Sequence, residues 1–360
     1  MAGSPFIEEN AAWRNDLTGS RSTKVSMNRL TRWWRTTLNP DWYHGHERKR
    51  PFFEGWYYKL IDPTTRHKLA IIPGVFLSSD PHAFIQVLDG TSGATWYHRY
   101  PLSQFWAAAD RFELRLGRST FSAGQINLTI DRPEQHIAGT LQFTGVTPWP
   151  VRLTAPGIMG WYAWMPTMEC YHGVVSLDHA IEGALLMDRH TMDFSGGRGY
   201  IEKDWGQSFP SAWIWLQTNH FATPGTSLTA SIAMIPWQFT RFRGFIVGFW
   251  HEGTLYRFAT YTGAETESLT VDETKVDWVL HGRTAGADHR LHIVATRGAA
   301  GVLAGPTTVG MGKRVAESLT AEVAVTLSRL EKGREETVFV GNGRCAGLEV
   351  YNVFEELLSA

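Results

Sequence analysis

Four consecutive residues, Glu202, Lys203, Asp204 and Trp205, set two carboxylates, an ammonium and an indole side by side within Gly196–Gly206 (GGRGYIEKDWG). In a strand, successive side chains leave opposite faces. Glu202 and Asp204 then share one face, and Lys203 and Trp205 share the other. Two carboxyls on a cavity wall can divide into an acid of raised pKa and a base. The chemistry implied is proton transfer, with Glu202 and Asp204 sharing a proton and Lys203 beside them.

Other segments supply further candidates. In Phe52–Lys59 (FFEGWYYK), Glu54 lies between Phe53 and Trp56, next to Tyr57, and Gly55 permits close approach or a bulge. A carboxylate in such apolar company is either ion-paired or shifted upward, so Glu54 reads equally as a second acid or as a structural pair. Trp213–Phe221 (WIWLQTNHF) puts Trp213, Trp215, Gln217 and Asn219 on one face. An aromatic wall followed by amides suits a ligand with an apolar tail and a polar head. A central strand buried on both faces would read the same way. His172, in ECYHG, can carry a proton near neutrality or serve as a hydrogen-bonded structural residue. Trp56, Tyr57, Trp205, Trp213 and Trp215 are the wall candidates, and Gln217, Asn219 and His172 the candidates for holding a head group.

His44, His46 and Glu47 (HGHE) are ligand types, but the adjoining Arg48, Lys49 and Arg50 repel a cation, so no metal site is expected. HExxH, CxxC, GxSxG and GxGxxG are absent. Gly305–Arg314 (GPTTVGMGKR) has its lysine offset from a phosphate loop and reads as a glycine-rich turn. With no DDxxD cluster, ionisation of a diphosphate is unsupported.

These residues need a β framework to position them. Arg111–Leu116, Gln125–Ile130 and Ile137–Phe143 alternate apolar and polar residues, with Gly, Pro and Asp between them. Short alternating runs at this spacing indicate an antiparallel meander in a barrel or sandwich. Pro148–Pro166 reads as an irregular crossover, and strand signals resume from Val174 to Leu330. Helical periodicity is confined to Ser26–Leu38 and a possible turn near Glu355–Ser359. The expectation is an all-β chain: a tail and short N-terminal helix (1–38), a first β-unit (39–165) and a second (166–360). The halves can be read as a distant duplication, since FFEGWYYKL and YIEKDWG both set a carboxylate near a Trp.

Composition narrows the partners. A formal net charge of −1 lacks the basic excess of a nucleic-acid surface. Sixteen Trp, eleven Tyr and nineteen Phe suit strands and the walls of a large apolar ligand site. Two cysteines build no disulfide framework, and a reducing interior is the default. No basic start with an apolar run opens the chain, and no run nears the ~20 apolar residues of a spanning helix. A cytoplasmic protein is expected, with Ser26–Leu38 available for peripheral contact with a membrane or lipid body.

The same segments resemble the tocopherol cyclase family. The matching strings are FFEGWYYKL, HGVVSLDH, GGRGYIEKDWGQSFPSAWIWLQTNHF and GPTTVGM, spread from about Asn39 onward. The resemblance implies two lipocalin-like antiparallel barrel or sandwich units, as in carotenoid hydratases and Diels–Alderase relatives. It implies cofactor-free cyclisation of a prenylated phenol to a chromanol, with an acid–base role for Glu202 and Lys203. Plant members are peripheral to lipid bodies and carry EKNWG where this chain has EKDWG, an added negative charge at Asp204. Such a reaction starts by protonating an alkene and requires no metal, nucleotide or redox group. Hydration of an isoprenoid alkene, and non-catalytic carriage of a prenyl lipid, remain alternatives at this point.

Overall fold

Period-two alternation sets the strands. In Gln125–Arg132, for example, Ile126, Leu128 and Ile130 are buried while Asn127 and Asp131 are exposed. The structure is a computed structural model that describes residues 29–46, 48, 51–237 and 239–359. The expected polar tail, residues 1–25, lies outside the described residues, as do Glu47, Lys49 and Arg50. The N-terminal helix covers Arg29–Thr37, with Leu30 and Trp34 exposed.

Two antiparallel sheets follow. The first has twelve strands. From edge to edge it runs Thr95–Tyr100, His82–Asp89, Lys68–Leu77, Phe52–Ile61, Gly197–Gly206, Cys170–Met187, Gln135–Thr144, Gln125–Arg132, Ser119–Ser122, Glu113–Leu116 and Phe105–Ala107. His190–Asp193 pairs beside Cys170–Met187. The second has ten: Thr254–Ala259, Thr240–His251, Ser227–Trp237, Trp213–Thr218, Arg334–Tyr351, Lys313–Glu331, Ala287–Thr296, Lys275–Thr284 and Glu265–Val271, with Ala300–Gly305 paired to Lys313–Glu331. Each sheet begins with a four-strand meander whose first strand pairs with a strand from much later in its own half.

Each sheet curls over its own core. In the first, Tyr58 of a central strand donates to the Ser122 carbonyl at 2.9 Å, and Trp56 stacks on Phe112 at 5.9 Å, although these partners are many strands apart. Among the described residues no ladder joins the two edges of either sheet, so neither closes into a barrel. A third apolar layer lies between the sheets, built from Tyr57, Val174, Leu177 and Tyr200 of the first and Trp213, Trp215 and Leu319 of the second. Burial of such apolar surface is the main favourable term holding the layers together.

Two organisational expectations differ from the structure. The change of sheet falls between Gly206 and Trp213, not at residue 165, because Cys170–Met187 and Gly197–Gly206 pair into the first sheet. FFEGWYYKL and YIEKDWG are therefore not equivalent strands of a duplication. They are neighbours, with Glu54 opposite Trp205 and Trp56 opposite Lys203. Cys170–Met187 is one long strand, with irregular register at Val174/Ser176 and Ser176/His179.

Candidate active site

A cavity of about 200 Å³ lies between the sheets. Its floor on the first sheet comes from alternate residues of adjoining strands: Phe53, Gly55 and Tyr57, then Glu202 and Asp204, then Cys170 and His172. The second sheet supplies Trp213 and Trp215, Phe242, Phe245, Val315, Glu317 and Glu349. Connecting segments add Met159, Tyr162, Met168, Phe209 and Met311. The lining is mainly aromatic and aliphatic, as in small-molecule sites, and includes no lysine or arginine among the described residues.

Glu202 sits among donors. Tyr200 donates its hydroxyl at 2.5 Å, Trp215 its indole N–H at 3.1 Å, and His172 Nε2 lies 3.5 Å away. Gly347 leaves room for that indole: a Cβ there would come within 2.6 Å of the Trp215 ring. Burial raises the Glu202 carboxyl to about 7, against the lowering pull of His172. The other ring nitrogen of His172, Nδ1, contacts Asp204 Oδ1 at 2.9 Å. Burial alone would lower this imidazole, but the Glu202 and Asp204 carboxylates raise it to about 9. The two carboxyls expected to share a proton are therefore bridged by the His172 ring, one nitrogen facing each. Their three donor atoms lie within 4.8 Å of one another.

Sequence reasoning missed the two other acids in the cavity. Glu317 and Glu349 face each other directly across the pairing of Lys313–Glu331 with Arg334–Tyr351. Tyr57 donates to Glu317 at 2.5 Å, and Trp213 donates to Glu349 at 2.6 Å. Burial pushes Glu317 well up and Glu349 to about 7. The available signal was an acid at an inward position of an alternating strand: Glu317 between Val315 and Leu319, and Glu349 two residues from Tyr351 and Gly347.

Six expected site residues are placed elsewhere, each for a geometric reason. Glu54 and Lys203 point to the opposite face of the first sheet, into its own core, where they form a fully buried ion pair. Lys203 also donates to the Trp42 carbonyl at 2.6 Å and lies over the Trp56 and Trp205 rings at 4.8 and 4.7 Å. Burial would raise Glu54, but the Lys203 ammonium and the His44 donors win and hold it below its ordinary value. Trp56 and Trp205 therefore wall this ion pair, not the cavity; Trp205 is stacked between His44 and Tyr171 at 4.1 and 5.4 Å. Asn219 is used structurally, donating to Asp178 at 2.9 Å and the Gly199 carbonyl at 2.8 Å. Gln217 is fully buried outside the lining, and neither of its amide atoms is hydrogen-bonded. Of the histidines weighed as ligands, His44 is engaged with Glu54 and His46 with the Ala108 carbonyl. Both cysteines are free.

The protein is thus an open, two-sheet lipocalin-like β fold with acids in an apolar cavity between its sheets. The chain belongs to the tocopherol cyclase-like family, whose model matches residues 120–351. It is 24% identical over 373 residues to the probable chloroplastic tocopherol cyclase of Oryza sativa subsp. japonica, covering 86% of this chain and 77% of that protein. The chloroplastic tocopherol cyclase of Zea mays is likewise 24% identical, over 86% of this chain and 76% of its own length. The crystal structure of CghA superposes with a TM-score of 0.53 at 11% identity, covering 84% of this chain and 88% of that one. That likeness shows the fold. Family membership supports a cyclase-type activity. No helix among the described residues is long and apolar enough to cross a membrane.

Proposed function

We propose that this protein closes a ring on a prenylated phenol or quinol, giving a chromanol-type product without change of mass. The observation that carries this reading is a buried carboxyl, Glu202, held by the Tyr200 hydroxyl and the Trp215 indole in an apolar, aromatic-walled cavity. A cavity of about 150 Å³ holds a benzene ring, so about 200 Å³ suits an aromatic head and the reacting end of its tail. Among the described residues the lining holds no lysine or arginine, which disfavours a carboxylate or phosphate ligand.

A carboxylic acid adds its proton to the tail alkene nearest the head, leaving a tertiary cation. The faces of Trp213, Tyr57 and Phe209 stabilise that charge, by roughly 0.5–2 kcal/mol per good contact. The phenol oxygen attacks the cation and passes its proton to Glu202. Tyr200 and Trp215 orient Glu202, and a carboxylate near pKa 7 is well matched to a base at neutral pH. The apolar walls keep water from capturing the cation first.

The names of the plant relatives support the substrate class. Incubation with a geranyl-substituted hydroquinone, followed by mass spectrometry, tests the reading. An isomeric, ring-closed product is expected. A product heavier by one water would indicate a hydratase, and unchanged bound quinol a carrier; either would overturn the proposal.

A further inference from the structure

We infer that Glu317 and Glu349 together are the proton donor of this site, a paired acid that opens the reaction by protonating the alkene. The inference rests on the cyclisation reading above and assigns its first step to residues on the second sheet, across the cavity from Glu202.

Geometry carries the assignment. The two side chains are direct register partners on adjoining strands, and both line the cavity. Like charges directly opposite in a sheet repel, and two carboxyls in contact in an apolar site cannot both ionise. Burial, and each carboxyl's nearness to the other's charge, favour a proton held on the pair. Their other partners are neutral donors: the Tyr57 hydroxyl on Glu317 and the Trp213 indole on Glu349. Among the described residues no lysine, arginine or histidine bonds either carboxyl. Lys59 is the cation whose charge reaches Glu317, but its Nζ is committed to the Cys345 and Gln217 carbonyls at 2.9 and 3.3 Å. The remaining charged neighbours, Glu202 and Asp204, are both acidic and favour retention of the proton. Glu202 is surrounded differently. It has His172 beside it as well as two neutral donors, the setting of a carboxylate. Acid and base thus stand on opposite walls.

The step balances. An O–H bond of the pair breaks, a C–H bond forms at the less substituted alkene carbon, and the cation appears at the tertiary carbon. The phenol O–H then breaks as the new C–O bond forms, and its proton goes to Glu202. Exchange with water on product release restores both groups, and the substrate gains no atoms.

The test uses the full chain with the geranyl-substituted hydroquinone in deuterated water. Wild type is expected to place one deuterium on the less substituted carbon of the alkene nearest the aromatic ring, which becomes a carbon of the new ring. Glu317→Gln and Glu349→Gln should each cut ring closure by about 10²-fold or more. Both should still bind the quinone analogue, read by quenching of tryptophan fluorescence. Glu349→Asp, which keeps a carboxyl on a shorter stem, should recover part of the activity. Infrared spectroscopy gives a readout that a purely structural pair would not link to turnover. A protonated-carboxyl band present in wild type at neutral pH should lose intensity in Glu317→Gln in step with activity. Wild-type turnover in both glutamine variants, or no such band, overturns the donor assignment while leaving cyclisation intact. Absence of ring-closed product from wild type overturns the cyclisation reading itself.

Discussion

Two buried acid clusters lie on opposite faces of the strand Gly197–Gly206, and they behave oppositely. On the core face of the first sheet, Glu54 meets Lys203, whose charge is further held by a carbonyl and two indole faces. On the cavity face, one residue along, Glu202 and Asp204 meet His172, with Glu317 and Glu349 beyond. Glu54 is held ionised by its cation. Glu202, Glu317 and Glu349 are pushed upward by burial, and among the described residues no lysine or arginine bonds them; Lys59, whose charge reaches Glu202 and Glu317, is bonded to carbonyls instead. Burial alone does not make an acid useful for proton transfer. Burial without a matched permanent cation does.

Replacing one acid in each cluster should separate stability from turnover. Glu54→Gln leaves the Lys203 ammonium buried without its counter-ion, and should destabilise the fold by about 3–5 kcal/mol in urea unfolding. Ligand binding in the surviving folded fraction should be retained. An unfolding midpoint equal to wild type would show that the core cluster is not an ion pair. Glu202→Gln should do the reverse. Loss of the base should slow ring closure by about 10²-fold, with a stability change nearer 1 kcal/mol.

The clusters should also differ in how they link to pH. Glu349 is raised to about 7 in the fold from an ordinary value of 4.5. Its folded form binds more protons than the unfolded chain across that window, so its contribution to stability declines as pH rises from about 4.5 to about 7. Glu54 is lowered, so its contribution is present above the ordinary carboxylate range and declines as pH falls below it. The stability of wild type relative to Glu349→Gln should therefore fall between pH 4.5 and 7, measured by denaturation at several pH values. A difference independent of pH would refute the raised carboxyl. The smallest effect is expected of Asp204→Asn, which places the amide of the plant EKNWG string here. It removes one of the two carboxylates that raise His172 to about 9, so a limb of the pH–rate profile that reports imidazolium loss should shift to lower pH, with a modest change in maximal rate.

Much of this was legible locally. Alternation along Gly197–Gly206 already separates Glu202 and Asp204 from Lys203 and Trp205, because side-chain direction in a strand depends only on the neighbouring peptide units. The same rule places Trp213 and Trp215 together, and Tyr57 apart from Trp56. It does not say which face looks into a cavity. FFEGWYYK offers Glu54 and Tyr57 as equal candidates, and only the pairing of its strand with Gly197–Gly206 puts Lys203 against Glu54. Gln217 continues the Trp213–Trp215 face but falls beyond the lining, since a face is longer than the cavity it borders.

By itself the sequence determined an all-β chain, kinship with tocopherol cyclases and the division of the EKDW string between two faces. All three follow from short-range order: backbone alternation, strand propensity and contiguous motifs. Tertiary structure alone decided that Glu317 and Glu349 stand opposite Tyr57 and near Glu202, that Glu54 is neutralised, and that the first sheet runs on to Gly206. Charge–charge energies depend on distance and burial in space, and residues 260 positions apart, such as Tyr57 and Glu317, acquire both only when the two sheets meet.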